Sequence, residues 1–417
     1  MYNITFQEKP FVQIANLLID NLKIKYYNNE LYVYANGLYI NDISILEREI
    51  LKLNPNTTKH FRNEILEYIR IKKSEDNTEI SKKYINFKNF LFDIENKQII
   101  SHTPDVFTIN QINAEYTTEE YINNDVDSFL NDITSNNPNR KETILQIIGY
   151  CMTSNTEFQK AFIFYGPTAG NGKSTLIDII SHLIGKSNIC HVSIHDLQRG
   201  RFYASEMKNK LLNTVSELPR TNLDTVELFK GIITGDELAV EEKHKSRYTI
   251  KPYSKHIFSA NELPSVEDTT NGFYRRLNIL KFDAHFTDEA QKNFRIEKLL
   301  NTNAINYLAK ISLQAYLKLL DTRLFANEDE SNELINIYKS KNNPIFSYLN
   351  SNHFKTFVAN NYIFPRYQIY EEYKKYCSNY LGVEYTGKIA FYNKIRESNL
   401  FEEIIIHGTD CFKYKAI

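Results

Sequence analysis

The sequence predicts an α/β fold, and three features support this prediction. Short apolar runs typical of buried strands alternate with helix-like patterns through the middle of the chain. A glycine-rich turn joins one of these runs to the helix that follows it. The composition, 42% hydrophobic and 24% charged, is that of a globular protein and excludes a wholly disordered or collagen-like chain. A length of 417 residues predicts about two to four domains.

Residues 1–112 are predicted to form an α+β N-terminal domain, whose role the sequence leaves open. Apolar runs on either side of Asn36-Gly37 predict a hairpin, because this dipeptide favours a tight two-residue turn. Helical periodicity follows over 43–53 and again over 58–72, and a second hairpin is predicted within 87–101.

A helical region is predicted over 113–157. The acidic stretch 117–133 favours a helix, and a second helix is expected from about 140 to 152. Further along the chain, an acidic segment at 327–330 is predicted to interrupt a helical stretch. The remaining divisions are expected at 158–290 for the α/β core, 291–343 for further helices and 344–417 for a C-terminal domain.

The strongest local signal is a phosphate-binding loop between a predicted strand at 161–165 and a helix at 174–184. Backbone N–H groups and a helix N-terminus create positive potential for a polyphosphate in this context. The Lys173 amine can reach the β- and γ-phosphates, and the Ser174 hydroxyl can bind Mg²⁺. The residues predicted to bind nucleotide are Gly166, Pro167, Thr168, Ala169, Gly170, Asn171, Gly172, Lys173, Ser174 and Thr175.

The loop departs from the usual pattern in one respect. Five residues separate Gly166 from Gly172, where phosphate-binding loops of this type have four before the Gly-Lys pair. Either the loop is longer by one residue or it begins at Pro167. In both cases the strand, the Gly-Lys-Ser-Thr sequence and the helix occur in the order that a phosphate-binding loop requires. The sequence therefore predicts nucleotide binding.

Two polar residues that follow apolar runs are candidates for the catalytic chemistry. Glu217 follows a predicted strand at 210–215 and is expected to polarise the attacking water and to help hold the metal. Ser216 stands where many such enzymes carry a second acid. Asn261 ends a predicted strand at 255–260 and either contacts the γ-phosphate or the water, or forms the turn before Leu-Pro.

Two basic features follow the catalytic candidates. Between 243 and 256 the chain has five Lys or Arg residues and no acid. This basic segment either contacts a nucleic-acid backbone or is a charged edge strand exposed to solvent. The DNA-binding candidates there are Lys243, His244, Lys245 and Arg247. The pair Arg275-Arg276 either reaches a neighbour's γ-phosphate, where an arginine stabilises transition-state charge, or forms a surface ion pair.

Taken in this order, these elements resemble a superfamily 3 helicase, most closely the phage/plasmid and poxvirus primase–helicase family. The resemblance implies an AAA+ P-loop core that binds ATP and Mg²⁺ between subunits of a ring, commonly a hexamer. Lys173, Ser174, Glu217 and Asn261 would lie on one side of each site. Arg276 would arrive from the adjacent subunit, since the family's arginine directly precedes an apolar residue; Arg275 is the second choice.

The resemblance also implies roles for the flanking regions. Residues 113–157 resemble the family's helical collar, 291–343 a helical lid or linker, and 344–417 a C-terminal winged helix that binds DNA or a protein. Helices near 367–381 and 390–398 and a hairpin around His407-Gly408 carry that last likeness. The family often has a primase domain upstream. A primase needs paired acids on a strand. The nearby candidate pair, in Asp125-Val126-Asp127, lies in a helix-like stretch, so we expect no primase domain.

The resulting expectation is an ATP-dependent helicase that translocates on single-stranded or forked DNA during replication of a phage or mobile element. An ATP-assembled origin-binding or scaffold protein without motor activity, and a P-loop kinase of small molecules, remain alternatives. The net charge of −1 excludes a uniformly basic nucleic-acid coat. Four dispersed cysteines, no signal peptide and no long apolar run favour a cytoplasmic protein with reduced thiols and no membrane partner.

Overall fold

The computed structural model describes residues 9–168, 170–242, 247–266, 271–286 and 296–415. A mixed α/β architecture is confirmed. The strands are β1 Lys25–Tyr27, β2 Glu30–Ala35, β3 Leu38–Ile40, β4 Tyr84–Asn86, β5 Leu91–Asp93, β6 Gln98–Ile100, β7 Ala161–Tyr165, β8 Ile189–Cys190, β9 Leu212–Val215, β10 Leu238–Val240, β11 Tyr248–Ile250, β12 Lys255–Ala260, β13 Leu277–Lys281, β14 Ile363–Pro365, β15 Phe401–Ile406 and β16 Thr409–Tyr414.

Helices surround and connect these strands. They are α1 Pro10–Leu22, α2 Ile43–Leu53, α3 Lys59–Lys73, α4 Asn124–Ile133, α5 Pro138–Cys151, α6 Lys173–Ile184, α7 Ile194–Arg199, α8 Arg201–Ala204, α9 Glu227–Thr234, α10 Asn271–Tyr274, α11 Ile296–Leu300, α12 Thr302–Thr322, α13 Glu328–Asn342, α14 Pro344–Asn350, α15 Asn352–Asn360, α16 Arg366–Tyr376 and α17 Lys388–Glu397.

A five-stranded parallel sheet in the order β13-β7-β12-β9-β8 forms the centre of the molecule. Every residue of β12 is buried, as expected for a strand covered on both faces. One apolar cluster packs α4, α5, α6 and α12 on one face, and a second packs α7, α9 and α13 on the other. The register pairs both Ala260 and Lys281 with Tyr165, so the carboxyl ends of these strands lie side by side.

The N-terminal region contains two small antiparallel sheets. The predicted hairpin joins β2 and β3 around Asn36-Gly37, whose φ values of 53° and 82° are both positive, as a two-residue turn of this kind requires. The predicted second hairpin lies within the meander β4-β5-β6, and its first strand was not predicted. Three residues of β4 are too few to show an alternating pattern in the sequence.

The helix predicted over 117–133 begins only at Asn124, so the first half of that prediction is wrong. The Asn123 side chain accepts a hydrogen bond from the Val126 N–H and starts the helix there. Upstream, the buried Lys310 amine donates to the carbonyls of Thr118 and Glu119. Since those carbonyls are bonded to another element, this part of the chain follows α12 and is not helical.

The prediction that the acidic segment 327–330 interrupts a helix is wrong. Three of its residues, Glu328 to Glu330, form the first turn of α13, where acidic side chains are favoured by the helix dipole. The real break lies at Arg323, whose φ of 63° ends the preceding helix.

The C-terminal region is richer in helices than the two that were predicted. Asn343 and Ser351 each accept a hydrogen bond from a backbone N–H and start the helices α14 and α15. Helix α16 continues into a π-helical turn at Cys377–Leu381. The predicted hairpin around His407-Gly408 is present as β15-β16, and β14 completes a three-stranded sheet.

Candidate active site

Three of the predicted site residues meet at the carboxyl edge of the central sheet. The Lys173 amine lies 3.3 Å from the Asn261 side-chain oxygen and 3.0 Å from the carbonyl oxygen of Gly166. The Asn261 amide in turn donates to a Glu217 carboxylate oxygen at 3.3 Å. The Asn261 amide therefore lies within hydrogen-bonding distance of both the Lys173 amine and the Glu217 carboxylate, beside the glycine-rich loop.

The sheet order explains why these residues meet. The loop follows β7, Asn261 follows β12, and Glu217 lies two residues beyond β9. Strand β12 pairs with β7 on one side and with β9 on the other, all in parallel. Because parallel strands end at the same edge, the side chains that follow them are placed next to each other.

The loop geometry depends on glycine at two described positions. Gly170 and Gly172 have φ values of 71° and 85°, which residues with a side chain rarely adopt. Gly172 also precedes the first turn of α6, whose N–H groups face the loop. The Asn171 side chain is buried, donates to the Thr168 carbonyl at 2.7 Å and accepts from the Lys173 amine at 3.0 Å. Ala169 lies outside the described residues.

Burial affects the charge of the loop lysine. Lys173 is only 5% exposed, and burial lowers the pKa of its amine, while Glu217 acts in the opposite direction. Three oxygen acceptors surround the amine. An anionic phosphate placed beside this amine would stabilise its protonated form, because the two charges are opposite.

The remaining loop residues face outward. Pro167, Thr168 and Ser174 are exposed, and Thr175 is half-buried at the start of α6. The Ser174 hydroxyl and the exposed Glu217 carboxylate are oxygen donors, the type that Mg²⁺ prefers. Among the described residues, no group of three or more His, Cys, Asp or Glu side chains could hold a metal alone.

The two predicted arginines lie at the opposite edge of the sheet. The Ala161 N–H, at the start of β7, donates to the Arg276 carbonyl, and β13 begins with the next residue. Arg276 is 9% exposed, its guanidinium donates to the Gly272 carbonyl, and its Nε has no hydrogen-bond partner among the described residues. Burial, together with the neighbouring Arg275, lowers the pKa of Arg276. Arg275 itself is exposed.

The basic segment is described only in part, because Lys243, His244 and Lys245 lie outside the described residues. The strands β10 and β11 on either side form an antiparallel pair. Arg247 lies at the loop end of this hairpin, directly before β11, and bonds to Glu241 through its guanidinium. The hairpin therefore exists, and its DNA-binding role stays a prediction.

Sequence reasoning missed a segment that borders the loop. The Phe282 N–H donates to the Tyr165 carbonyl at 2.7 Å, and the Phe286 N–H donates to the Gly170 carbonyl at 2.9 Å. Asp283, between them, accepts hydrogen bonds from Ser135 and from Arg140. The only signal in the sequence was an acidic residue shortly after an apolar strand, a pattern that also fits an ordinary surface loop.

The other expectations concern thiols and membranes. Cys151, Cys190, Cys377 and Cys411 are all buried free thiols. Burial raises the pKa of the Cys151 and Cys190 thiols to about 12. Within the part of the chain that the structure describes, no helix combines the length and the apolar character needed to cross a bilayer.

Comparison with family models gives two partial matches. Residues 12–135 match a family described as D5 N terminal like. Residues 164–276 match a family of unknown function, DUF5906, and this range contains the loop, Glu217, Asn261 and both arginines.

Two curated viral proteins are similar in sequence. One is the putative helicase L207/L206 of Acanthamoeba polyphaga mimivirus, 24% identical over 277 residues that cover 62% of this chain. The other is primase D5 of Fowlpox virus (strain NVSL), 24% identical over 224 residues that cover 50% of this chain. The chain spans 28% of the length of each.

Solved structures share the fold along nearly the whole chain. The apo A form of the NrS-1 C-terminal region is 14% identical, with a TM-score of 0.58, and the alignment covers 98% of this chain and all of that one. A second apo structure of this region is 13% identical, with a TM-score of 0.56 and coverage of 98% and 99%. At this identity the likeness concerns the fold alone.

Proposed function

We propose that this protein is an ATP-hydrolysing DNA helicase of the superfamily 3 type that works as a ring during replication of a phage or mobile element. The meeting of Lys173, Asn261 and Glu217 beside the glycine-rich loop carries this proposal. The similarity to proteins named viral helicase and primase supports a role in replication.

Each side chain at the site has a definite task in this proposal. The Lys173 amine exchanges its loop acceptors for the β- and γ-phosphates of ATP. Mg²⁺, held by Ser174 and Glu217, would neutralise phosphate charge. The Glu217 carboxylate orients and polarises the attacking water. The Asn261 amide lies between that carboxylate and the amine, so it can contact both the water and the γ-phosphate.

An arginine is proposed to come from a neighbouring subunit. The Arg276 backbone lies beside the first residue of β7, and the loop follows the last residue of this strand. The five residues of β7 between them cover about 16 Å at the usual rise of a strand. An arginine side chain cannot cover that distance to its own loop. Arg275 or Arg276 would therefore act on the site of an adjacent copy, which requires a ring or a filament. Exposure favours Arg275, since Arg276 is buried.

DNA is proposed to bind at the β10-β11 hairpin, through Lys243, His244, Lys245 and Arg247. A ring of such hairpins would surround the channel and grip one strand by its phosphates. The C-terminal helices and the three-stranded β14-β16-β15 sheet are the kinds of element found in a winged helix, and α17 is the candidate recognition helix. We propose that this unit binds DNA or a replication partner.

The test is ATP hydrolysis by the purified full chain, with and without single-stranded DNA. We expect DNA to stimulate hydrolysis, and Lys173→Ala to abolish it while circular dichroism shows an intact fold. Lys186→Ala changes an exposed lysine just beyond the end of α6, and it should leave the rate unchanged. Normal hydrolysis by Lys173→Ala would refute the site assignment.

One feature favours a second candidate, an ATP-assembled origin-binding or scaffold protein without motor activity. Ser216 occupies the position where many motor ATPases have a second acid. Glu217→Gln separates the two proposals, because it should preserve nucleotide binding and assembly but stop turnover. If strand separation on a forked DNA continues at the wild-type rate in this variant, the protein is not a motor that depends on Glu217.

A further inference from the structure

A buried arginine connects the segment beside the phosphate loop to a helix behind the sheet. The Arg140 side chain is 9% exposed and donates to an Asp283 carboxylate oxygen at 2.7 Å. It also makes a two-pronged contact with Glu330, in the first turn of α13, at 2.6 and 3.0 Å. A planar guanidinium fixes both carboxylates in one geometry, which a flexible lysine could not do.

Asp283 lies in the segment that borders the loop. Two residues of this segment bond to the phosphate loop. The Phe282 N–H donates to the carbonyl of Tyr165, just before the loop, and the Phe286 N–H donates to the carbonyl of Gly170, within it. The Phe282 carbonyl also accepts a hydrogen bond from the Asn171 side chain at 3.5 Å. A movement of the loop on nucleotide binding would therefore move Asp283, and Arg140 would transmit that movement to Glu330.

The other end of α13 lies against the arginine pair. The Lys339 amine donates to the Asn271 side chain at 3.1 Å and lies 5.3 Å from the centre of the Tyr274 ring. Asn271 and Tyr274 begin and end the helical turn that leads directly into Arg275 and Arg276. The position of this turn is therefore tied to the position of α13.

The same end of α13 contacts the segment that follows Asn261. The Tyr338 hydroxyl donates to the Pro264 carbonyl, and the Asn342 side chain accepts from the Val266 N–H at 3.0 Å. The first turn of the helix is fixed to β13 by the Ile279 N–H, which donates to the Ser331 hydroxyl at 2.9 Å. From Glu330 to Lys339 the helix covers about 14 Å.

We infer that α13 is a rigid link between the two halves of each subunit's machinery, with Arg140, Glu330 and Lys339 as its positioning residues. At one end it senses the state of the subunit's own nucleotide loop. At the other it sets the position of the arginines that serve the neighbour's site. The inference rests on the proposed function, and it adds how one ATP site would influence the next around a ring.

Hydrogen exchange measured on the full chain tests this link without requiring a ring. ADP with Mg²⁺ is added as the probe, and exchange is followed in peptides that cover 282–286 and 271–276. We expect nucleotide to slow exchange in both regions, by about fivefold or more if the coupling has the usual size. In Glu330→Gln, which leaves the Arg140 bond to Asp283 in place, the effect at 282–286 should persist and the effect at 271–276 should disappear.

Two further variants keep the test decisive. Lys339→Met breaks the link at its other end and should give the same result, so it replaces Glu330→Gln if that variant fails to fold. Glu142→Gln removes an ion pair with Lys318, made by the same helix as Arg140, and should change neither region. In the hydrolysis assay Glu330→Gln should lower kcat and leave KM unchanged.

The possible results separate this inference from the proposed function. Slowing at 271–276 that survives in both Glu330→Gln and Lys339→Met overturns the link, and so does a wild-type response confined to 282–286. If nucleotide protects neither region nor the loop 166–175 in the wild-type chain, the nucleotide site itself is wrong and both proposals fall.

Discussion

Replacing Gly166 by alanine tests how closely the loop is packed around Lys173. Gly166 does not have a positive φ, so alanine can adopt the backbone conformation without strain. A Cβ placed there, however, would lie 2.5 Å from the Phe282 carbonyl oxygen and 2.4 Å from the Asn171 amide nitrogen. It would also lie 3.0 Å from the Lys173 amine. The expected damage is therefore steric and is confined to the loop.

The size of the effect follows from which atoms can move. The Lys173 amine is the end of a flexible chain and can shift, but the Phe282 carbonyl is backbone, held by the adjacent N–H···O bond to Tyr165. Overpacking of this kind costs about 1–3 kcal/mol of stability. Because the methyl group displaces the Asn171 and Lys173 side chains, we expect the affinity for ATP with Mg²⁺ to fall by about tenfold or more, equivalent to about 1.4 kcal/mol.

The assay combines urea denaturation with titration of a fluorescent ATP analogue. Gly231→Ala, within α9, is the matched control, since a methyl group there meets only ordinary contacts, at 3.6 Å from the Asp236 and Leu238 side chains. That change should stabilise the fold slightly, by about 0.5–1 kcal/mol, through helix propensity. ATP affinity within twofold of wild type in Gly166→Ala would show that the loop is not packed as described.

Three further outcomes are expected. Burial lowers the pKa of His256 to about 3, below its ordinary 6.5, so the folded protein keeps it neutral while the unfolded chain protonates. Stability should fall as the pH drops below 6.5, by roughly 3 kcal/mol at pH 4.5, and urea denaturation of His256→Gln should lack this contribution. Arg275→Ala should retain ATP binding and lose turnover with little change in stability, whereas Arg276→Ala should also lower the melting temperature; full turnover in both, in a confirmed ring, would exclude an arginine from the neighbour. Charge reversal at Lys243 and Lys245 should weaken binding of single-stranded DNA and flatten its dependence on salt, and an unchanged slope would move the DNA site elsewhere.

Local sequence was sufficient for the centre of the site. Strand, loop and helix around Lys173 are contiguous in sequence, so their pattern is visible without knowledge of the fold. Glu217 and Asn261 are distant from the loop in sequence, but both follow apolar strands. Parallel strands end at one edge, so two correct strand assignments were enough to bring them to Lys173.

The contacts of Arg140 could not be predicted in this way. Its two carboxylate partners are 143 and 190 residues away in sequence. Arg140 occurs early in a helix, where an exposed arginine is the ordinary expectation. Only the tertiary fold brings the start of α5 to the first turn of α13 and to the segment after β13, where the guanidinium is buried between its two partners. The network therefore depends on tertiary structure alone.

The same reasoning explains which helix boundaries were wrong. The stretch before Asn124 has helix-favouring acidic residues, yet its carbonyls bond to the buried Lys310 amine. Intrinsic helix preference is worth at most a few tenths of a kcal/mol per residue for such residues, less than the cost of leaving a buried amine without partners. Tertiary hydrogen bonding therefore decides the conformation there, and no local pattern could have shown it.

The distance between the two edges of the central sheet connects the site to the assembly. Lys173, Asn261 and Glu217 occupy the carboxyl edge, and the chain supplies its paired arginines at the amino edge, about 16 Å away. In the proposed ring, each amino edge would face the next carboxyl edge, and the arginines would reach the neighbour's nucleotide. A kinase that acts alone would have no such use for them. From Glu330 to Lys339 the α13 helix covers about 14 Å of this separation. In the proposed ring it would carry the state of one subunit's nucleotide to the edge that meets the neighbour.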